Sequence, residues 1–246
     1  RLVAYEVMRA VDEGAYTNLE LPARLRRARL GGRDAAFATE LTYGATRMQG
    51  LYDPVIGVAA GRPLEAMEPS VRDLLRIGAH QLLGIRVPAH AACDSTVALA
   101  RMVRGPGVSG LVNAVLRQLS RNKVHLPRIP DQDALHSLSI RYSHPKWLVK
   151  RLQAILGPET EACLAADNAP APLTIQVNPL KAAAEELTAE LEASGVIVRP
   201  HPWVSGCLEL DHVGDLTALE PFRMGKFLVQ DPAARLVSQI AGVEPG

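Results

Sequence analysis

From residue 1 to about residue 122, apolar side chains recur every three to four positions, the spacing of helices that bury one face. In "RLVAYEVMRAVDEG", Leu2, Val3, Val7, Ala10 and Val11 fall on one side of a helix that begins with the first residues. "EPSVRDLLRIGAHQLLGI" predicts a helix over 69–84, with Val71, Leu74, Leu75, Ile77 and Leu82 facing a core and Ser70 a candidate N-cap. "HAACDSTVALARMV" predicts another from about Ala89, after Pro88, and "VSGLVNAVLRQLSRN" a third that buries Leu111, Val112, Val115, Leu116 and Leu119. Gly31-Gly32, Gly61-Arg62-Pro63, Val87-Pro88 and Gly105-Pro106-Gly107 punctuate them. Strand-type alternation is missing, so residues 1–126 read as an all-α bundle.

"HLPRIPDQDALHSL", with Pro127 and Pro130, reads as a linker, and helices over 144–156 and 158–167 complete a connection spanning 127–170. Gly157-Pro158 ends the first of these helices and puts Pro at N1 of the second. From 171 the period changes. "PLTIQVN" (172–178) is strand-like, "KAAAEELTAELEAS" (181–194) is helical with Gly195 as its stop, and "VIVR" (196–199) and "CLEL" (207–210) are short strands. "DLTALEPF" supplies a helical turn or two and "GKFLVQD" (225–231) a last strand. The order β-α-β-β-α-β over 171–231 is that of the split-βαβ, RRM-like module, with four strands in one sheet. A helix-like stretch follows at 232–246, with Leu236, Val237 and Ile240 at helical spacing, and closes on Glu244-Pro245-Gly246 as though a new element were to begin. The predicted class is mainly α, a helical bundle followed by a small α+β module.

A chain of 246 residues accommodates one large or two modest domains. It has no apolar run near the roughly 18–20 residues of a membrane span. The N-terminal residues lack the features of a signal peptide, and the missing initiator Met is read as a trimmed start. Cys93, Cys163 and Cys207 stand far apart without a C-x-x-C pair, which argues against disulfides and zinc. A cytoplasmic, metal-free protein is expected.

Charge changes the picture more. The net charge of +1 conceals a split: residues 1–130 carry 18 Lys+Arg against 11 Asp+Glu, hence +7, and residues 131–246 the remaining 9 against 15, hence −6. The densest run is "ARLRRARLGGRD", holding Arg24, Arg26, Arg27, Arg29 and Arg33. Guanidinium forks suit phosphate, so an RNA contact is chemically sensible; a solvated charged face is the plain alternative.

No dinucleotide-type glycine loop, P-loop, G-x-S-x-G or H-E-x-x-H occurs, and the seven histidines do not fall at metal-ligand spacing. His80, in "GAHQLL", reads as a satisfied structural histidine. Asp94, Asn113 and Arg117 are candidate polar anchors, with Asn113 read as a buried amide bonded to backbone or, more sharply, as an RNA contact. "RYSHPKW" (141–147) interleaves Arg141, His144 and Lys146 with Tyr142 and Trp147. It reads equally as a nucleic-acid surface or as a domain junction packed by Trp147.

These pieces, in order, resemble a known family over essentially the whole chain. "AYTNLEL" (15–21), "GRDAAFATELTYGATR" (32–47), "LLRIGAHQLLGIRVPAHAACDSTVALA" (74–100) and "GLVNAVLRQL" (110–119) are similar to the NusB-like RNA-binding domain preceding Sun/Fmu (RsmB) type 16S rRNA cytosine-C5 methyltransferases. "LSIRYSHPKWLVKRL" (138–152) resembles the family's connection, "PLTIQVNPLK" (172–181) its RRM-like domain, and "GKFLVQDPAARLV" (225–237) the segment leading into the methyltransferase core. The resemblance implies an S-adenosylmethionine-dependent parent enzyme acting on 16S rRNA. There, one cysteine thiolate attacks C6 of the cytosine and a second helps release the product. It implies no catalytic or cofactor residue in this chain, since Cys93, Cys163 and Cys207 do not match those positions. The chain alone is therefore expected to be inactive and monomeric, with 232–246 opening a truncated Rossmann-like domain. RNA-binding candidates are Arg24, Arg26, Arg27, Arg33, Arg141 and Lys146. Two departures stand out: Gln176 replaces the family's usual Arg, which puts any contact of that Arg in doubt, and Ala234 a frequent Ser. A non-catalytic NusB-like adaptor of transcription antitermination is the alternative.

Overall fold

A computed structural model of the chain describes residues 1–122, 133–214 and 216–242. It divides into two compact units, one over Arg1–Asn168 and one holding the described residues from Ala169 onward. Residues 123–132 of the expected linker, Asp215 and the closing Glu244-Pro245-Gly246 lie outside the described residues.

The first unit is all helical. Its elements are α1 (Leu2–Asp12), α2 (Thr17–Arg27), α3 (Gly32–Arg47), α4 (Gln49–Ala60), α5 (Pro69–Ala79), α6 (Ala89–Arg104), α7 (Pro106–Asn122), α8 (Ala134–Arg141), α9 (Lys146–Leu156) and α10 (Thr160–Asp167). The stripe Val71, Leu74, Leu75 and Ile77 of α5 is buried as its spacing predicts, against Leu41, Tyr52, Ile56, Val112 and Leu116 among others. Ser70 does not cap α5. The helix starts at Pro69, the first residue of its predicted span, with Glu68 at the N-cap position; the fixed φ of Pro suits N1, and Ser70 is turned into the packed interior with its hydroxyl unpartnered.

Two further expectations change. The predicted helix over 69–84 stops being α-helical at Ala79 and widens into a π-turn over His80–Gly84. The His80 ring at the start of this turn is closely packed: a Cβ on Gly44 would lie 2.1 Å from its Nε2 and one on Gly84 2.4 Å from its Nδ1. The imidazole thus occupies space that only two side-chain-free residues leave open. Second, part of the presumed linker is helix α8. Asp133 caps it by accepting the His136 amide at 3.2 Å, a signal masked in the sequence by Pro127 and Pro130 nearby. The segment 133–168 packs with the bundle: Ser143 Oγ accepts from the Gly50 amide at 2.9 Å and donates to the Arg47 carbonyl at 2.6 Å.

The second unit is built from β1 (Leu173–Val177), α11 (Ala184–Ala193), β2 (Ile197–Pro200), β3 (Cys207–Asp211), α12 (Glu220–Arg223), β4 (Phe227–Val229) and α13 (Pro232–Ile240). The sheet order is β2-β3-β1-β4, antiparallel at every pair, as a split βαβ module requires. Ile175, Val177, Leu208, Leu210 and Phe227 join Leu187 and Leu191 of α11 in its core. The register sets Gln176 opposite Cys207 and Leu228, on the alternate face of β1. The helix expected from Lys181 begins at Ala184 instead. Asn178 closes a turn first, accepting the Leu180 amide on its side chain, while Lys181 Nζ reaches the Met224 carbonyl at 2.8 Å.

Candidate nucleic-acid interface

The arginine-rich segment folds around one turn. Leu21 is the single buried residue of α2, so most of that helix faces water. Arg24 is tied down: its guanidinium donates to Glu20 at 2.9 Å and to Glu6 of α1 at 3.3 Å. Arg26 and Arg27 occupy the last turn, where the helix carbonyls favour cations. The chain then reverses through Arg29, at φ 51°, and the Leu30 amide closes on the Leu25 carbonyl at 3.1 Å. Arg33 follows in the first turn of α3, whose N-cap Gly31 supplies no side chain and leaves the positive helix end open. Arg26, Arg27, Arg29 and Arg33 are exposed and have no carboxylate partner among the described residues. Four free guanidinium groups therefore surround one helix–helix turn, with Asp34 beside them.

The cations of "RYSHPKW" are spent differently. Arg141 donates to Glu161 at 2.9 Å, and the Tyr142 hydroxyl donates to the same carboxylate at 2.9 Å. Lys146 binds Asp133, and together with the His136 amide it holds the Asp133 carboxyl below its ordinary range. His144 Nδ1 lies 2.7 Å from the Tyr142 carbonyl, and Ser143 adopts φ 57°. Arg141 and Lys146 thus join α8, α9 and α10, while the Trp147 ring makes none of these contacts and is 68% exposed. The motif ends at Trp147, so Lys150 and Arg151, exposed on the next turn of α9, escape it; their i+3 and i+4 spacing is the signal that finds them.

Of the remaining polar candidates, His80 is buried, whereas Asp94, Asn113 and Arg117 lie wholly or partly at the surface. His80 Nδ1 is 2.9 Å from the Tyr52 hydroxyl and its Nε2 3.1 Å from Glu40, with burial lowering its pKa. Asn113 is not a buried amide bonded to backbone: half-exposed, it accepts from Arg117 Nε at 2.8 Å, one turn along α7. Asp94 is exposed on α6. Gln81, which the helical pattern did not single out, is buried between Arg1 (2.8 Å) and Thr96 (2.9 Å).

The described residues do not fit a nucleoside cofactor. The sheet is antiparallel throughout and offers no parallel strand running into a glycine-rich phosphate turn. A cavity of about 490 Å³ between α11 and the β2–β3 loop is walled by Glu185, Glu192, His201 and Cys207, without such a turn. Burial pushes the Cys93 and Cys207 thiols up, away from the thiolate that nucleophilic attack requires. Among the described residues no group of His, Cys, Asp or Glu side chains is arranged to hold a metal ion, and no helix is long and apolar enough to cross a membrane.

Residues 1–121 match the NusB family, and residues 144–217 match the family described as "Methyltr_RsmF/B-like, ferredoxin-like domain". The second match opens at His144 and so takes in α9 and α10, which pack with the helical unit here. A putative methyltransferase of Mycobacterium tuberculosis, Rv1407, is 39% identical over 254 residues, covering 100% of this chain and 54% of its own. Ribosomal RNA small subunit methyltransferase B of Vibrio cholerae is 33% identical, covering 95% of this chain and 52% of its own. The chain spans about half the length of the curated relatives it matches. The crystal structure of PH0851 superposes with a TM-score of 0.73 at 23% identity, over 99% of this chain and 55% of that one, a likeness of fold. The chain thus joins a NusB-family domain to an RsmF/B-type ferredoxin-like domain, and along its whole length it is similar to RsmB-type methyltransferases.

Proposed function

We propose that this chain is the RNA-binding and substrate-positioning part of an S-adenosylmethionine-dependent 16S rRNA cytosine-C5 methyltransferase. The observation that carries the reading is the NusB match joined in one chain to the RsmF/B-type ferredoxin-like match. That second domain also favours this reading over a NusB-like antitermination adaptor, which has no use for it. In the proposal residues 1–126 grip phosphates, 127–170 connect, 171–231 orient the target nucleotide, and 232 onward opens the catalytic portion. No step of methyl transfer is assigned to a residue of this chain, and alone it is taken to be inactive and monomeric.

Arg26, Arg27, Arg29 and Arg33 are the phosphate ligands of choice, because each fork is free to take two phosphate oxygens. Arg24 keeps a supporting role through Glu6 and Glu20. The test is binding of a 16S rRNA fragment across a salt series. Replacing all four arginines with Ala is expected to weaken binding and to make its salt slope shallower by up to about 3, near 0.7 for each lost single-strand phosphate contact. Unchanged affinity and slope would place the RNA surface elsewhere.

A further inference from the structure

We infer that the outward face of α9 is a stacking platform for one unpaired RNA base. The inference rests on the RNA-binding reading above and adds a site to it. Val149 of α9 is buried and Leu148, Leu152 and Leu156 are half-buried, so this side of the helix turns inward. Trp147, Lys150, Arg151 and Ala154 share the opposite side and are exposed. No aromatic ring or cation pairs with the Trp147 indole among the described residues. A flat apolar ring held in water on a regular helix is a surface that a flat partner covers.

Charge selects the partner. α9 carries Lys146, Lys150 and Arg151 and no acidic residue. Asp133 neutralises Lys146, while Lys150 and Arg151 beside the indole have no carboxylate partner among the described residues. Helical side chains lean toward the N-terminus, so both cations project back over the turn that bears Trp147. Ala154 leaves the following turn low. A base laid on the indole would bring its flanking phosphates to the two cations, the combination of stacking and backbone neutralisation that holds single strands. A base within a duplex is stacked on both faces and is not available to the ring.

The experiment uses the 246-residue chain with Trp203→Phe, which leaves Trp147 the sole indole of the two in the sequence. An unstructured single-stranded RNA of about 12 nucleotides, within the usual site sizes, is titrated beside the same strand in a duplex. The single strand is expected to quench Trp147 and the duplex to leave it nearly unchanged. Trp147→Ala should weaken single-strand binding roughly 5- to 100-fold, with Trp147→Phe retaining most of it. Lys150→Ala with Arg151→Ala should lower the salt slope by about 1. Salt-dependent binding seen by anisotropy, with unaltered Trp147 emission and unaltered affinity of Trp147→Ala, overturns the platform and leaves the RNA-binding reading standing. No binding of either RNA at low salt overturns both. An emission change that tracks protein concentration without RNA, with dimers in sedimentation, assigns the face to a second copy and overturns the platform.

Discussion

Two sets of arginines in the helical unit look alike in sequence and behave oppositely. Arg9 and Arg76 are drawn inward around Asp73, which is fully buried on α5. Arg9 donates to Asp73 at 3.0 Å and to Asp12 at 2.8 Å, and Arg76 grips both oxygens of Asp53 at 2.8 and 2.6 Å while lying 3.5 Å from Asp73. Arg26, Arg27, Arg29 and Arg33 lie on the surface with no such partner among the described residues. The inner set is committed to holding α1, α4 and α5 together. The outer set is exposed and takes no carboxylate among the described residues, so its guanidinium groups are free for a ligand.

The largest expected effect breaks the inner set. Arg76→Ala leaves Asp53 without its guanidinium and Asp73 with Arg9 alone; because the pair is part-buried, the loss is expected at the lower end of the about 3–5 kcal/mol that removing one partner of a fully buried pair costs. Urea unfolding should show that loss, whereas Arg26→Ala and Arg27→Ala should stay within about 0.5 kcal/mol of the parent. An Arg76→Ala protein as stable as the parent would erase the distinction between the sets.

Next in size is a pH effect at Asp73. Burial pushes its carboxyl from an ordinary 3.8 up to about 6, against the hydrogen bond from Arg9. The native state then holds a proton that the unfolded chain releases, so between about pH 4 and 6 stability falls as pH rises, by up to about 3 kcal/mol. Asp73→Asn removes the titration, and the difference between parent and variant unfolding free energies should carry that slope. A difference that rises with pH would mean the arginines outweigh burial.

Those partnerships also mark where sequence legibility ends. Helix periods and the β-α-β-β-α-β order are local patterns, and the bundle and the sheet topology follow from them. The basic run around Arg26–Arg33 is equally local. Pairing is not: Arg24 and Arg26 are two residues apart, yet only the first meets Glu6, eighteen positions away in sequence. The seat of the His80 ring needs Gly44 from another helix, and no helical pattern contains it. Arg141 and Lys146 read as free cations until Glu161 and Asp133 are brought beside them. Even Ser70, a sound N-cap by type, is displaced by the Pro69 that precedes it.

The smallest expected effect carries the same contrast to apolar side chains. Leu187 and Leu191 of α11 are fully buried and belong to the fold of the second unit. α13, capped by Asp231 through the Ala233 amide at 2.8 Å, has an equally regular stripe in Leu236, Val237 and Ile240, yet none of its residues is buried, Ile240 being 84% exposed. Leu187→Ala should cost about 2–5 kcal/mol through lost packing and the cavity left behind. Leu236→Ser with Ile240→Ser should change the stability of this chain by no more than about 0.5 kcal/mol, because neither side chain leaves a core. Thermal melts of the two variants side by side make the measurement. A double serine variant that melts as early as Leu187→Ala would show that α13 is held by this chain itself.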